Sequence, residues 1–185
     1  IVVAADSPYQ TIEDLVAAGK TEKINFGGTG YPQPLAMEAI NEAEGTNFTF
    51  VSYPSTTDLI TDVLGGFIPF AVADQASFVA YVKEGSMRLL ASATDQRWAI
   101  EPDVPTLQES GYDIALLSYM GLCTPKGVDP QIIEILREAF KEAFDDASFK
   151  DIAEKSNLVP AYLSGEDYQK LVEEKYVEYK EVFGK

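Results

Sequence analysis

The sequence predicts an α/β fold, with helices covering a mostly parallel sheet. Short apolar runs typical of buried strands, such as "IVVAAD" and "FIPFAVAD", alternate with segments of helical periodicity as far as Thr94. Glycines end three of these helical segments, at Gly19, Gly65 and Gly85. Strands that alternate with helices in this way are typical of βαβ units, which place neighbouring strands in parallel.

The elements up to Thr94 follow one another in a regular order. The run "IVVAAD" predicts a strand, "TIEDLVAAG" a helix and "KINFGG" a second strand, followed by a helix from about Pro32 to Glu44. A third strand, "NFTFVSY", precedes the helix "STTDLITDVLGG", in which Ser55 and Asp58 have capping-box spacing. The next strand, "FIPFAVAD", contains Pro69, which limits how central it can lie. The helix "QASFVAYVKEG" and the strand "MRLLASAT" complete the series.

The pattern changes after Thr94. The segment "DQRWAIEPDVPTLQESGYDI" is rich in turn residues and predicts one short helix around 106–110. The run "IALLSYMGLCTP" is apolar enough for a long buried strand, in which Cys123 is expected to be a small core residue. Three helical segments follow, the first starting at Asp129 and the last at a Ser164/Asp167 capping box. Their apolar faces need a partner, which indicates a second lobe.

Composition excludes several classes of function. The 185 residues include 30 acidic and 14 basic ones, for a net charge of −16, and such a surface repels nucleic acids and anionic membranes. Histidine is absent and Cys123 is the single cysteine, so the chain holds no Cys/His zinc set, no internal disulfide and no histidine-dependent triad. We therefore expect no catalytic residue, no metal and no cofactor. We also expect no membrane span, because no run of 18 apolar residues is present.

The stretch "INFGGTGYPQPLAMEAI" contains the first candidate site. A strand enters glycines 27, 28 and 30 and leaves as a helix. One interpretation is a tight turn whose glycines supply positive φ angles. The other is an anion site, formed by the loop amides and the N-terminal end of the helix dipole. A Walker loop would need a lysine here and a dinucleotide loop a third glycine, so a carboxylate fits better than a phosphate.

Two further strand ends are polar. In "VSYPSTTD", hydroxyl groups precede a helix, and in "AVADQASF" Asp74 follows an apolar strand. The simpler alternative is that Ser55 or Thr56 caps one helix and Asp74 caps the next. The carboxyl ends of parallel strands meet at one edge of a sheet, however, so all three polar ends are expected to face one crevice.

Five stretches, in order along the chain, resemble the tripartite tricarboxylate transporter receptors, the TctC/Bug extracytoplasmic solute receptors. They are "SPYQTIEDLVAAGK", "INFGGTG", "FVSYPSTTDLITDVLGG", "ATDQRWAIEPDVPTLQESGYDI" and "GLCTPKGVD". The corresponding family patterns resemble "YGSSG.GSP.H", "VPYKG…DLLGG", "PDVPT..E.G" and "GL.AP.G". The resemblance extends over essentially the whole chain.

The resemblance implies a type 2 periplasmic-binding-protein-like fold of two α/β lobes. Residues 1–118 would form the second lobe with its ligand-binding loops, one nearly complete α/β lobe. Residues 119–185 would supply a crossover strand and C-terminal helices that pack on the first lobe. That first lobe would be missing here, and the chain begins with Ile rather than Met, so we expect an upstream segment.

The resemblance further implies a receptor, not an enzyme, that holds a small di- or tricarboxylate between its lobes. It would be periplasmic or extracytoplasmic and would deliver its ligand to membrane transporter subunits. Carried over to this sequence and combined with the polar strand ends, the candidate ligand-binding residues are Gly28, Thr29, Gly30, Gln33, Tyr53, Thr56, Thr57 and Asp74. This chain departs from the family pattern at 32–34 and at 54–55, so the identity of the ligand is not carried over.

Two other functions remain as alternatives. The ligand-sensing effector domain of a LysR-type regulator has the same architecture and would carry an upstream helix-turn-helix instead of a secretion signal. An enzyme would have to rely on carboxylates such as Asp58 and Asp74, and the sequence offers no close acidic pair.

Overall fold

The computed structural model describes residues 1–116, 119–155 and 160–183. The chain divides into two compact units, Ile1–Ser118 and Tyr119–Lys185. The first unit contains a five-stranded sheet, and the second contains three helices.

The sheet in the first unit is mixed, with one antiparallel strand. Its strands are β1 (Val2–Ala4), β2 (Lys23–Gly28), β3 (Asn47–Ser52), β4 (Phe70–Ala71) and β5 (Met87–Leu89), in the spatial order β3-β2-β4-β1-β5. Strand β2 runs parallel to β3 and β4, whereas β1 runs antiparallel to its neighbours β4 and β5. The predicted α/β fold is therefore confirmed.

Four helices connect these strands. They are α1 (Ile12–Gly19), α2 (Pro34–Glu44), α3 (Thr56–Leu64) and α4 (Gln75–Lys83). Helix α1 begins with a capping box, in which the Asp14 amide donates to Thr11 Oγ1 and Asp14 Oδ2 accepts from the Thr11 amide. Helix α2 begins with a proline at its first position, where no hydrogen bond is lost.

Helices cover both faces of the sheet. Adjacent strand residues point to opposite faces, and Val3 and Phe70 belong to one buried cluster whereas Val2 and Ala71 belong to the other. The first cluster includes the apolar sides of α1 and α2, and the second those of α3 and α4. The helices thus occupy the two faces of the sheet, and the loops lie at the carboxyl ends of the parallel strands.

Strand β4 lies at the centre of the sheet, which the proline-based expectation did not foresee. Pro69 directly precedes the strand and takes no place in the ladder. Only Phe70 and Ala71 pair with β2, so the proline shortens β4 instead of moving it to an edge.

The predicted long buried strand over 114–125 is wrong in its described part. Residues 114–116 and 119–125 form no strand, and residues 117 and 118 lie outside the described residues. Met120 is 87% exposed, and Cys123 is exposed rather than a core residue. An apolar run forms a strand only where a neighbouring strand can accept its hydrogen bonds, and no described strand pairs with this one.

The predicted short helix around 106–110 is also wrong, because this segment forms hydrogen-bonded turns and no helix. Thr106 Oγ1 accepts from the Glu109 amide, and the Ser110 amide donates to the Thr106 carbonyl. Gly111, with a φ of 94°, ends the segment in a left-handed conformation, and its amide donates to the Gln108 carbonyl.

The second unit contains α5 (Pro130–Asp145), α6 (Ala147–Lys155) and α7 (Gly165–Phe183). Asp129 caps α5, as predicted, and Ser164 Oγ accepts from the Asp167 amide at the start of α7. None of the residues of α5 is buried, and Ile135 and Ile152 are 65% and 61% exposed. No described helix is both long enough and apolar enough to cross a lipid bilayer.

Candidate functional site

The predicted site residues follow three strand ends at one edge of the sheet. Strands β2, β3 and β4 are parallel, so their last residues, Gly28, Ser52 and Ala71, lie at the same edge. Each strand leads into a helix, α2, α3 or α4, whose N-terminal end lies towards that edge. The N-terminal ends of three helices, which carry backbone N–H groups and a partial positive charge, therefore lie next to the three loops.

The glycine loop is closely packed against its neighbours. A Cβ atom on Gly27 would lie 2.2 Å from Leu59 Cδ1, and one on Gly28 would lie 3.1 Å from the carbonyl oxygen of Val72. Thr29 is exposed, and Gly30 has a φ of 154°, in a region that favours glycine. The first two glycines are thus needed for close approach and the third for backbone conformation.

Gln33 places an unsatisfied polar atom beside Gly28. It occupies the N-cap position of α2 and makes no side-chain cap hydrogen bond. Its Oε1 is buried, has no hydrogen-bond partner among the described residues, and lies 3.4 Å from the position that a Cβ on Gly28 would take. An unpaired buried acceptor costs about 1–3 kcal/mol, so a donor brought to this point would stabilise the loop.

Tyr53 connects β3 to the glycine loop. Its backbone amide donates to the Gly28 carbonyl at 2.9 Å, and its hydroxyl donates to Asp62 Oδ2 at 2.8 Å. Burial, together with the Asp62 carboxylate, raises the pKa of Tyr53 to about 12. The hydroxyl that was predicted to face the crevice is therefore engaged with α3.

At the start of α3, one residue caps the helix and the next two are candidate ligand-binding residues. Ser55 Oγ accepts from the Asp58 amide at 3.1 Å and donates to Asp58 Oδ2 at 2.7 Å, which confirms the capping alternative for this serine. Thr56 and Thr57 occupy the first turn of the helix, where Thr56 is partly buried and Thr57 is exposed. Their hydroxyls are not used as the helix cap.

Asp74 lies at the N-cap position of α4 but does not cap it. It is exposed, its backbone is extended with φ −65° and ψ 141°, and its side chain makes no cap hydrogen bond. The capping alternative is therefore not met. A free carboxylate at this edge repels an anion and attracts a hydroxyl or ammonium group.

Gly28 is the point where the three loops meet. It accepts from the Tyr53 amide after β3, and a Cβ there would contact Val72 O after β4 and Gln33 Oε1 before α2. The structure thus brings Gly28, Gln33 and Tyr53 together. Thr29, Gly30, Thr56, Thr57 and Asp74 lie in the same three connections, at the same edge.

These connections contain no cationic side chain. Residues 29–33, 53–55 and 72–74 include neither lysine nor arginine. With a net charge of −16, attraction of an anion at this edge would have to come from backbone amides, hydroxyls and helix ends.

Comparison with known proteins identifies the family. The family model described as tripartite tricarboxylate transporter family receptor matches residues 1–185. The chain belongs to this receptor family. Its predicted membership is thereby confirmed, and the family is not that of the LysR-type regulators.

Known relatives of this receptor-family chain agree in sequence and in fold. The UPF0065 protein in the gbd 5′ region of Cupriavidus necator is 34% identical over 178 residues, which are 94% of this chain and 54% of that protein. A TctC solute-binding protein from Polaromonas, solved without ligand, superposes with a TM-score of 0.80 at 29% identity, covering 99% of this chain and 64% of the other. An R. palustris protein solved with adipate has a TM-score of 0.85 at 20% identity, covering 98% and 62%.

The receptor-family chain spans about half the length of this curated relative and less than two thirds of these solved structures. The predicted periplasmic-binding-protein-like architecture is confirmed by these superpositions.

Sequence reasoning missed Asp62, which lies on α3 and accepts the Tyr53 hydroxyl. In the sequence, Asp62 stands nine residues after Tyr53. That spacing matches neither the helix period nor the strand period, so it gives no sign of the contact. It also missed Val72, whose amide donates to the Gly27 carbonyl at 2.9 Å and whose carbonyl faces Gly28. An apolar side chain gives no sign that its backbone lines a site.

Proposed function

We propose that this chain is part of an extracytoplasmic receptor that binds a small di- or tricarboxylic acid and delivers it to a tripartite membrane transporter. The observation that carries the proposal is the meeting of three loops at Gly28, at the edge of the sheet where helices α2, α3 and α4 begin. Backbone amides at such a position favour a carboxylate without a cationic side chain. Catalysis is not part of the proposal, because the site offers no acid–base pair.

Relatives support the choice of ligand class. The R. palustris protein that shares this fold was solved with adipate, a dicarboxylate. In this chain one carboxylate would bind at the glycine loop, 28–30, with the hydroxyls of Thr56 and Thr57 as further donors. Asp74 would face a neutral or cationic part of the ligand, because two carboxylates in contact repel each other.

The second unit fits a role in a two-lobed receptor. Its exposed apolar residues on α5 and α6, such as Ile135 and Ile152, are of the kind that a packed lobe covers. We propose that 119–185 packs against a further lobe, and that this lobe closes over the ligand. Closure would then add contacts that the open state lacks, and the closed form would be the one presented to transporter subunits.

Isothermal titration calorimetry on the whole receptor, as its gene encodes it, tests this function. We expect saturable one-to-one binding of at least one acid from a panel of adipate, succinate, citrate and glutamate. The 185-residue chain, titrated in parallel, should bind the same acid more weakly, because part of the cleft would be missing. Failure of the whole receptor to bind any acid of the panel would overturn the proposal.

The matched pair Thr57→Val and Thr61→Val locates the site. Both threonines are exposed residues of α3, and Thr61 Oγ1 donates to the Thr57 carbonyl within the helix. We expect only Thr57→Val to weaken binding, since Thr61 lies one turn away from the N-terminal end of α3. Equal losses in both variants would place the acid elsewhere.

A further inference from the structure

Strand β3 forms one edge of the sheet and lacks most of the usual protection against pairing with another chain. Its sequence from Asn47 to Ser52, "NFTFVS", contains no charged residue and no proline. Edge strands normally avoid pairing through lysines, prolines, bulges or short length. At six residues, β3 is as long as any strand of this sheet.

The backbone groups of β3 alternate between the sheet and the outside. The Tyr53 amide donates to Gly28 on β2, so residues 47, 49 and 51 also direct their backbone groups towards β2. The groups of Phe48, Phe50 and Ser52 therefore point outwards, where a further strand would bind.

Asn41 on α2 occupies the first of these outward positions. Its Nδ2 donates to the Phe48 carbonyl at 2.9 Å, and its Oδ1 accepts from the Phe48 amide at 2.9 Å. These are the two hydrogen bonds that a neighbouring strand would make. Thr46 Oγ1 also donates to Asn41 Oδ1, at 2.7 Å, and so fixes the orientation of the amide group.

The rest of the edge is open. Among the described residues, no hydrogen bond is made to the outward backbone groups of Phe50 or Ser52. Val51 is 36% exposed and Ser52 is exposed, so this end of the strand is accessible. While Asn41 occupies Phe48, another strand could pair with only two positions of this edge. Without Asn41 three positions would be open, and they extend along most of β3.

We propose that the outer edge of β3 is a strand-pairing surface for a second copy of this chain, and that Asn41 keeps it closed. Two copies of the same strand edge can pair antiparallel about a two-fold axis, so that each open position on one β3 faces an open position on the other. A second copy fits this edge because the strand is uncharged, and no like charges are brought face to face within it. The net charge of −16 opposes approach from a distance, and salt screens that repulsion.

Sedimentation velocity of the whole receptor, as the parent protein and as its Asn41→Ala variant, tests the proposal. We expect the variant to associate at concentrations about tenfold lower than the parent, as loss of one blocking pair of hydrogen bonds implies. Association should increase with sodium chloride, because the opposing force is electrostatic. A variant that stays monomeric wherever the parent does would overturn the proposal.

Three further variants separate pairing at β3 from a general loss of stability. Glu42→Ala changes the next, exposed residue of α2 and should leave association unchanged. Val51→Lys, added to Asn41→Ala, places a charge on the edge and should restore the monomer, whereas association caused by unfolding would persist. Thr46→Val removes only the bond that orients Asn41, and should raise association less than Asn41→Ala. An unchanged association state in Thr46→Val, or persistent association in the double variant, contradicts the proposal.

Discussion

The hydroxyl of Tyr53 donates to the carboxylate of Asp62 at 2.8 Å, which joins the residue after β3 to the last turn of α3. A Cβ on Gly27 would lie 3.0 Å from Tyr53 Cε2, so the tyrosine ring packs directly against the glycine loop. One side chain thereby fixes the relative positions of β2, β3 and α3. The loops at this edge of the sheet are thus held in place by a hydrogen bond between the end of β3 and α3.

Tyr53→Phe should lower the free energy of unfolding by about 1 kcal/mol, because it removes one hydrogen bond to a carboxylate and leaves the ring in place. Urea unfolding of the parent, Tyr53→Phe, Asp62→Ala and the double variant measures this. If the hydrogen bond is the cause, the double variant is less destabilised than the sum of the two single variants. Additive losses would show that the two residues act separately.

The same pair makes stability depend on alkaline pH. The folded pKa of Tyr53, about 12, lies above its ordinary value of 10.0. This contribution to stability is therefore fully present below pH 10.0 and is lost as pH rises towards 12. Tyr53→Phe should show a smaller loss of stability across that interval than the parent, as followed by urea unfolding at each pH. Identical pH profiles would contradict the assignment.

The strands and helices of the first unit could be predicted because their signals are local. The Ser55 cap at the start of α3 and the glycine at the end of α1 each act within a few residues of the chain. The wrong strand at 114–125 shows the limit of such signals, because an apolar run does not reveal whether a strand lies beside it. The engagement of Tyr53 with Asp62 was also invisible, since it depends on how α3 packs against the sheet.

Gly27→Ala should lower the free energy of unfolding by about 1–3 kcal/mol, the usual cost of forcing extra atoms into a packed core. The added methyl group would lie 2.2 Å from Leu59 Cδ1, so the leucine, α3 or the loop has to move. Gly27→Ala combined with Leu59→Val, which trims the clashing side chain, should be less destabilised than the two single changes predict. Thermal unfolding of the four proteins measures this, and a stability of Gly27→Ala equal to the parent's would contradict the packing argument.

Ser55→Ala should lower the free energy of unfolding by about 1 kcal/mol, the usual cost of losing an N-cap, while leaving ligand affinity unchanged. The hydroxyl of Ser55 is already used by the Asp58 amide and carboxylate at the start of α3. Thr11→Ala at the start of α1 is the matched change, since Thr11 Oγ1 accepts from the Asp14 amide in the same way. Chemical unfolding and calorimetry on both variants check the expectation, and a selective loss of affinity in Ser55→Ala would place Ser55 in the site.

Gln33→Glu should weaken binding of a dicarboxylate by about tenfold or more, because it places a negative charge of nearly the same shape beside Gly28. Gln33 Oε1 lies 3.4 Å from the position that a Cβ on Gly28 would take, and Gly28 begins the loop 28–30 at which one ligand carboxylate is proposed to bind. Gln10→Glu is the matched control, since Gln10 is exposed in the loop after β1, at the opposite edge of the sheet. Calorimetric titrations at two salt concentrations measure the effect, which should shrink at high salt. Equal affinities for Gln33→Glu and Gln10→Glu would mean that the acid does not bind at the glycine loop, and the site would then have to be sought among the other strand ends.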